Sequence, residues 1–239
     1  MVVKGDANVG SGHERPSKIS ATMAAYLGEL FRLGGEQRDV PAGEWAVAMG
    51  VSLPATSRMA SRLARMGLVE RRIYRGIRLT ALGCREGLRA VRAHRLAEAF
   101  LVRVLGYGWH EAHDTADRLG EIADDQLVAR MDAAAGRPTR CPHGEPIPDP
   151  DGNIAIPDDR PLTDLEVGDR AMVSRVRVRD AERLVYLAEI GLTPQVRVRV
   201  AGRGPFKGPV RVEVGKAECV VGHDLAQLVW VEPELATPG

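Results

Sequence analysis

A proline-rich stretch at residues 136–163 carries seven prolines and divides the chain into two parts with different periodicity. Before this stretch, apolar residues recur at helical spacing, as at Met23, Tyr26, Leu27 and Leu30. After it, apolar and polar residues alternate in short runs between glycines, which indicates β-strands. Because so many prolines exclude regular structure between the two parts, the sequence predicts an α+β chain, helical first and β-rich last.

The first 80 residues have the pattern of a winged helix-turn-helix. The predicted helices are 18–34, 42–49 and 54–66, and the predicted strands are 68–73 and 77–80. The third helix has a small, polar outer face, and the hairpin carries Arg71, Arg72, Arg75 and Arg78. Serine, threonine and arginine side chains contact phosphates and base edges, so this arginine density favours DNA as the partner. Protein docking remains the alternative for this pattern.

The net charge of the chain is only +1, but two neighbouring segments carry large charges of opposite sign. Residues 51–95 contain eleven Arg and two Glu, a net of +9, whereas residues 96–169 contain sixteen acidic residues and six Arg, a net of −10. Two solvated faces would explain either segment alone. Since both coincide with motifs, we interpret them as a polyanion-binding segment followed by a cation-binding segment.

The pattern beyond the hairpin predicts three more helices and then a small β-barrel. The helices are expected at 80–105, 109–123 and 124–135, and the strands at 171–178, 196–200, 210–214, 217–221 and 228–231, with a helical turn near 181–190. Apolar residues suited to a helical core or a dimer interface are Leu96, Phe100, Val104, Leu119, Ile122 and Leu127.

Residues of the types that bind metal ions are concentrated between positions 94 and 143. They are His94, Glu98, His113, Asp117, Glu121, Cys141 and His143. The first five lie four residues apart on two predicted helices, so each helix would present its imidazoles and carboxylates on one face. A His/Glu pair at this spacing is more commonly a surface salt bridge, but the Cys-Pro-His sequence that follows favours metal ligation. We interpret the remaining histidines as structural or surface residues.

Composition indicates an ordinary globular chain of 239 residues, 44% hydrophobic and 27% charged. Three widely spaced cysteines cannot form a disulfide framework, and no apolar run is long enough for a membrane helix. The residues at 1–17 resemble a flexible tail rather than a signal peptide. We therefore expect a cytoplasmic protein without a membrane partner, with Cys84 and Cys219 as core residues.

In the order of its elements, the chain resembles the diphtheria-toxin-repressor family of metal-dependent transcriptional repressors over about residues 18–232. The matching segments are VSLPATSRMASRLARMGLVE, YRGIRLTALG, RAHRLAEAFL, HDTADRLGE and RCPHGEPIPDPDG, and YLAEIGLTPQVRVRV resembles the family's SH3-like domain. The predicted domains are a tail (1–17), a winged helix (18–90), a helical dimerisation and metal-binding domain (91–140), a proline-rich connector with ligands (141–163), an SH3-like β-barrel (164–232) and a tail (233–239).

The resemblance implies a homodimer joined through the middle helices, with Mn²⁺ or Fe²⁺ as corepressor and one or two ions per subunit. His94, Glu98 and His113 match the family's ancillary site. Asp117 and Glu121 fall where members place ligands of the main site, and Cys141 and His143 match ligands of the manganese-responding branch. A carboxylate of the C-terminal domain, Asp180 or Glu182 here, is expected to complete a site.

The sequence departs from the family pattern in the first helix, where Ala25 and Gly28 replace metal-binding side chains, and Gly120 replaces a usual Glu. The first helix is therefore expected to supply no ligand. Asp117 takes the place of a thiolate, and most of the predicted ligands are carboxylates and imidazoles. This ligand set favours manganese as the expected metal.

These observations predict a metal-dependent DNA-binding repressor of manganese or iron homeostasis genes, with no enzymatic activity and no small organic substrate. Ser52, Pro54, Thr56, Ser57 and Arg58 are expected to read the operator, and Arg62 and Arg75 to contact phosphates. One alternative is a metal-independent DNA-binding protein whose sensor has decayed. The other, a metallohydrolase, lacks a clear nucleophile or general base.

Overall fold

The computed structural model describes residues 19–234, so the predicted tail at 1–17 and most of the tail at 233–239 lie outside the described residues. The chain begins with helices α1 (Ala21–Arg32), α2 (Ala42–Ala48) and α3 (Leu53–Arg65), followed by strands β1 (Val69–Arg72) and β2 (Gly76–Leu79). Ser20 and Ser52 cap α1 and α3 by accepting hydrogen bonds from backbone amides. The strands form an antiparallel hairpin, which confirms the predicted winged-helix fold.

Three longer helices follow: α4 (Ala81–Arg103), α5 (Ala112–Ile122) and α6 (Asp125–Ala134). Two glycines near the start of α4 allow the chain to pack closely there. A Cβ atom at Gly83 would lie 1.8 Å from the Leu68 carbonyl oxygen, and one at Gly87 would lie 2.9 Å from that of Leu27. Helix α4 therefore lies directly against α1, and the winged helix is held at the start of the helix that carries His94 and Glu98.

The C-terminal part is a six-stranded antiparallel sheet in the order β3-β8-β4-β5-β6-β7. Its elements are β3 (Arg160–Pro161), a 3₁₀ turn (Leu162–Asp164), β4 (Arg170–Val176), α7 (Ala181–Glu189), β5 (Arg197–Arg203), β6 (Val210–Val214), β7 (Ala217–Val221), α8 (His223–Ala226) and β8 (Val229–Pro233). The five predicted strands are present. The sequence did not predict β3, which contains only two residues, or the short helix α8.

Side chains from all parts of this sheet share one apolar core, which includes Val173, Val200, Val212 and Val231. The connector packs against the same sheet through charged groups, since Asp159 accepts hydrogen bonds from Arg175 and Ser174. Within residues 19–234, no helix is long and apolar enough to cross a membrane.

Candidate metal centre and DNA-binding surface

Three imidazoles converge on one oxygen of Glu98, a residue near the middle of α4. Glu98 Oε1 lies 3.0 Å from His94 Nε2, 3.1 Å from His113 Nδ1 and 3.5 Å from His143 Nδ1. Only 4% of the Glu98 side chain is exposed. A buried carboxylate needs compensating positive charge or hydrogen bonds, and here three nitrogen atoms of separate elements supply them.

Five of the seven predicted ligands meet at this point, and we call them the Glu98 cluster: Glu98, His94, His113, Cys141 and His143. They form two overlapping groups, His94–Glu98–His113 and Glu98–Cys141–His143, in each of which the potential ligand atoms lie within 4.8 Å of one another. Glu98 belongs to both groups. Since His94 and Glu98 are one helical turn apart on α4, the helix itself places both side chains on one face.

The turn that carries Cys141 and His143 is fixed between α4 and the C-terminal sheet. On one side, Arg95 of α4 donates a hydrogen bond to Glu145 at 2.9 Å. On the other side, the Val176 amide of β4 donates to the His143 carbonyl at 2.8 Å. Gly144 has a positive φ of 84°, and a Cβ atom there would lie 2.1 Å from the Ser174 carbonyl oxygen. The glycine is therefore required for the close approach between the turn and β4.

His143 is oriented by Trp109, a residue that the sequence did not single out. His143 Nε2 lies 2.9 Å from the Trp109 carbonyl oxygen, and the two rings stack with centroids 5.5 Å apart. Because a carbonyl can only accept, Nε2 donates its hydrogen to Trp109, and Nδ1 is the ring nitrogen that faces Glu98. This is the way in which outer hydrogen bonds usually fix a metal-binding histidine.

The charges in the Glu98 cluster are strongly coupled. Burial alone would raise the pKa of Glu98, but the charge of His94 and hydrogen bonds from His113, His143 and His94 hold that pKa well below its ordinary value. Burial would lower the pKa of His94, but the charge of Glu98, the nearby Asp117 carboxylate and the hydrogen bond to Glu98 raise it above its ordinary value. Without a cation, the charge of Glu98 therefore favours a proton on His94.

The donor set fits a divalent cation. His94 Nδ1 is buried and has no hydrogen-bond partner among the described residues. Asp117 Oδ1 lies only 2.8 Å from that nitrogen atom, but out of hydrogen-bonding alignment. Burial, followed by the charge of Glu98, raises the pKa of the Cys141 thiol well above its ordinary value. A bound cation would give His94 Nδ1 a partner, because it binds an imidazole lone pair. It would also favour the thiolate form of Cys141.

The other two predicted ligands are not part of the cluster. Asp117 lies at the outer edge, with a 61% exposed side chain, 2.8 Å from His94 Nδ1 and 3.7 Å from His113 Nε2. Glu121 is in the last turn of α5, and its side chain lies outside the described residues. The carboxylate of Asp180 caps α7 by accepting from the Arg183 amide, and neither Asp180 nor Glu182 belongs to the two groups.

The predicted DNA-contacting residues differ in exposure. Ser52, Pro54, Arg58, Arg62 and Arg75 are exposed, and we call them the recognition surface. The guanidinium groups of its three arginines make no ion pair with any residue in the range 19–234. Ser57 is half-buried. Four cationic or polar side chains at α3 and in the wing, those of Ser52, Arg58, Arg62 and Arg75, are thus exposed to a polyanion.

Thr56 requires a correction, because it is completely buried and its hydroxyl lies 3.4 Å from the Ser52 carbonyl oxygen. It stabilises the start of α3 and cannot reach a base edge. Two of the four wing arginines also differ from expectation, since Arg72 and Arg78 lie 3.4 Å and 3.8 Å from Asp39 Oδ1. These guanidinium groups are already paired within the protein.

Comparison with known proteins supports the same interpretation. Residues 80–149 match the family described as the iron dependent repressor metal binding and dimerisation domain, and residues 160–233 match the FeoA domain. The diphtheria toxin repressor of Corynebacterium efficiens is 30% identical over 223 residues, which cover 88% of this chain and 95% of that protein. The iron-dependent repressor IdeR of Mycobacterium leprae is 29% identical over 224 residues, 88% of this chain and 96% of that protein.

Among solved structures, a manganese-dependent transcriptional repressor in complex with manganese superposes with a TM-score of 0.82. That protein is 37% identical, and the match covers 89% of this chain and 100% of the other. The likeness extends over nearly the whole chain, so it includes the winged helix, the helices that carry the Glu98 cluster, and the C-terminal sheet.

Proposed function

The chain belongs to the diphtheria-toxin-repressor family of metal-dependent transcriptional repressors, and we propose that it represses manganese or iron homeostasis genes in the cytoplasm when it binds Mn²⁺ or Fe²⁺. The observation that carries this proposal is the convergence of three imidazoles and a thiol on buried Glu98. The nitrogen and oxygen atoms suit either metal. We assign His94, Glu98, His113, Cys141 and His143 as ligands, with Asp117 at the outer edge.

A bound divalent cation would supply the positive charge that protons supply in its absence. The ligands come from α4, from α5 and from the turn fixed against β4. Their coordination would hold these three elements together and so favour one arrangement of the helices. A ligand shifts a conformational equilibrium only by its differential affinity, so this arrangement must be the one that binds DNA.

The proposed partners are a second copy of the chain and double-stranded operator DNA. Four large apolar side chains remain exposed near the end of α4 and on α5: Val104, Leu105, Tyr107 and Ile122, the last of which is 76% exposed. Exposed apolar side chains of this size suit a symmetric interface. In a dimer, two α3 helices would enter successive major grooves about one helical turn apart. We expect Ile122→Glu to yield monomers in sedimentation experiments.

The experiment is a selection of operators from random double-stranded DNA with Mn²⁺ present, followed by affinity measurements with Mn²⁺ and after complete chelation. We expect at least tenfold tighter binding with Mn²⁺, the size of an ordinary coupling free energy of about 1–3 kcal/mol. Equal affinities in the two states would contradict the proposal and favour a metal-independent DNA-binding protein.

Two variants separate the metal switch from DNA binding itself. His94→Ala should abolish the response to Mn²⁺ and leave weak, salt-sensitive binding to unselected DNA, because phosphate contacts do not depend on the cluster. His110→Ala is the matched control, since this half-exposed histidine lies outside both ligand groups.

Arg62→Gln should lower the slope of log affinity against log salt concentration by about one, the contribution of one phosphate contact. Arg183→Gln on α7 is its control.

A further inference from the structure

Glu29 is a buried carboxylate on α1, the first helix of the winged-helix part. Its Oε2 accepts one hydrogen bond from Arg32 Nη1 at 3.0 Å and another from Arg179 Nη2 at 2.6 Å. Only 7% of the Glu29 side chain is exposed. Because a buried carboxylate without partners is costly, two guanidinium groups at these distances indicate a specific arrangement.

The two arginines come from distant segments of the chain. Arg32 is the last residue of α1, whereas Arg179 lies between β4 and α7, 150 residues after Glu29 in the chain. Among the ion pairs and hydrogen bonds of the described range 19–234, the Glu29–Arg179 pair is the one that joins the winged helix directly to the C-terminal sheet. The sheet is otherwise joined to the rest through the connector and Trp109.

Helix α1 also lies against the helices of the Glu98 cluster. A Cβ atom at Gly28 would lie 3.2 Å from Ala90 Cβ of α4, so the two helices are in close contact. The positive charge of Arg32 acts on His94 and Asp117. Neither Ala25 nor Gly28 can bind a cation, and the ion pair that attaches α1 to the C-terminal part joins Glu29 and Arg179.

We propose that Arg179 is a positioning residue for operator binding, which holds α1, and with it the recognition helix α3, in one orientation relative to α4. This inference rests on the proposed function. A fixed positive charge next to the C-terminal sheet would thus limit the movement of the winged helix at all metal concentrations. Metal binding at the Glu98 cluster would then set the distance between the two α3 helices of the dimer.

The test uses the full chain with four variants: Arg179→Gln, Arg179→Lys, Glu29→Gln and the double variant Glu29→Gln/Arg179→Gln. With saturating Mn²⁺, we expect Arg179→Gln to weaken binding to the selected operator about tenfold, the scale of coupling between groups in direct contact. The double variant should bind no more weakly than the single variants, and Arg179→Lys should recover part of the affinity. Arg183→Gln, an exposed arginine of α7 with no ion pair among the described residues, is the matched control.

Two further readouts separate positioning from a general loss of stability. Mn²⁺ affinity should stay at the wild-type value for Arg179→Gln, because Arg179 lies outside the Glu98 cluster and Arg32 still pairs with Glu29. Operators whose half-sites are moved apart by one or two base pairs should be bound nearly as well as the selected operator by Arg179→Gln, but much more weakly by the wild type. If Glu29→Gln fails to fold, the two Arg179 variants carry the test alone.

If the wild type selects no metal-dependent operator, the proposed function fails. If it does, but Arg179→Gln matches it in affinity and in half-site discrimination, only the role of Arg179 is overturned. Equal losses of operator binding and of Mn²⁺ binding in Arg179→Gln would also overturn that role, since they would indicate damage to the fold.

Discussion

Two carboxylates, Glu98 and Asp117, contact the same pair of histidines from opposite sides. Glu98 lies inside, 4% exposed and surrounded by three imidazoles, whereas Asp117 lies outside, 61% exposed, and is close to two of them. Solvent screens the charge of Asp117, but it cannot reach Glu98. The difference in burial predicts that Glu98 is essential to the proposed metal site and that Asp117 contributes little to it.

The largest effect is expected for Glu98→Gln. The amide removes the shared charge of both ligand groups, so Mn²⁺ affinity should fall by roughly 100-fold or more, and operator binding should lose its response to metal. Isothermal titration with Mn²⁺ checks the first effect and operator titration the second. Asp114→Asn, an exposed carboxylate in the first turn of α5, is the control. If Glu98→Gln bound Mn²⁺ with wild-type affinity, Glu98 would not be the central ligand of the site.

Cys141→Ser should weaken metal binding by about 10-fold to 100-fold, because the site loses a thiolate but keeps its shape. Co²⁺ is a useful probe, since a thiolate ligand gives a near-ultraviolet charge-transfer band that should disappear in this variant. Cys219→Ser, at a half-buried cysteine of the C-terminal sheet, should keep the band. A band that survives in Cys141→Ser would exclude this sulfur atom as a ligand.

The stabilisation by Mn²⁺ should grow as the pH rises. The raised pKa of His94 means that its proton stabilises the metal-free fold below the ordinary histidine value of about 6.5, and that this contribution is lost as the pH rises through the raised value. Metal binding requires the neutral ring. Because Mn²⁺ displaces the proton of His94, its affinity should rise by about tenfold per pH unit until His94 is neutral.

Thermal unfolding with and without Mn²⁺ at about pH 6 and about pH 8 measures this effect. His110→Gln should show the same pH dependence as the wild type, since His110 lies outside the Glu98 cluster. A shift in midpoint that does not change between the two pH values would indicate that His94 does not exchange a proton for the metal.

The smallest effect is expected for Asp117→Asn. Because the side chain is exposed, we expect Mn²⁺ affinity to fall by about threefold, in line with the small contribution of exposed charge pairs. Isothermal titration alongside Glu98→Gln gives the comparison directly. A loss as large as that of Glu98→Gln would show that burial does not separate the two carboxylates, and that Asp117 completes a site in the metal-bound form.

The sequence predicted the elements well because their signals are local. Ser20, Ser52 and Thr80 each cap the helix that follows, and alternating apolar residues form the strands of the C-terminal sheet. Local spacing also placed His94 and Glu98 on one face of a helix. It could not show that Thr56 points into the core, since a threonine near a helix start is compatible with either side.

Contacts between distant segments were decided by the tertiary structure alone. The pairing of Arg72 and Arg78 with Asp39, the stacking of Trp109 on His143, and the pair between Glu29 and Arg179 leave no periodic signal in the sequence. The residue types suited to a metal centre and to a DNA surface can be read from the amino-acid order. Burial then determined the strength of each charge, because the effective dielectric depends on what packs around a group and not on its position in the chain.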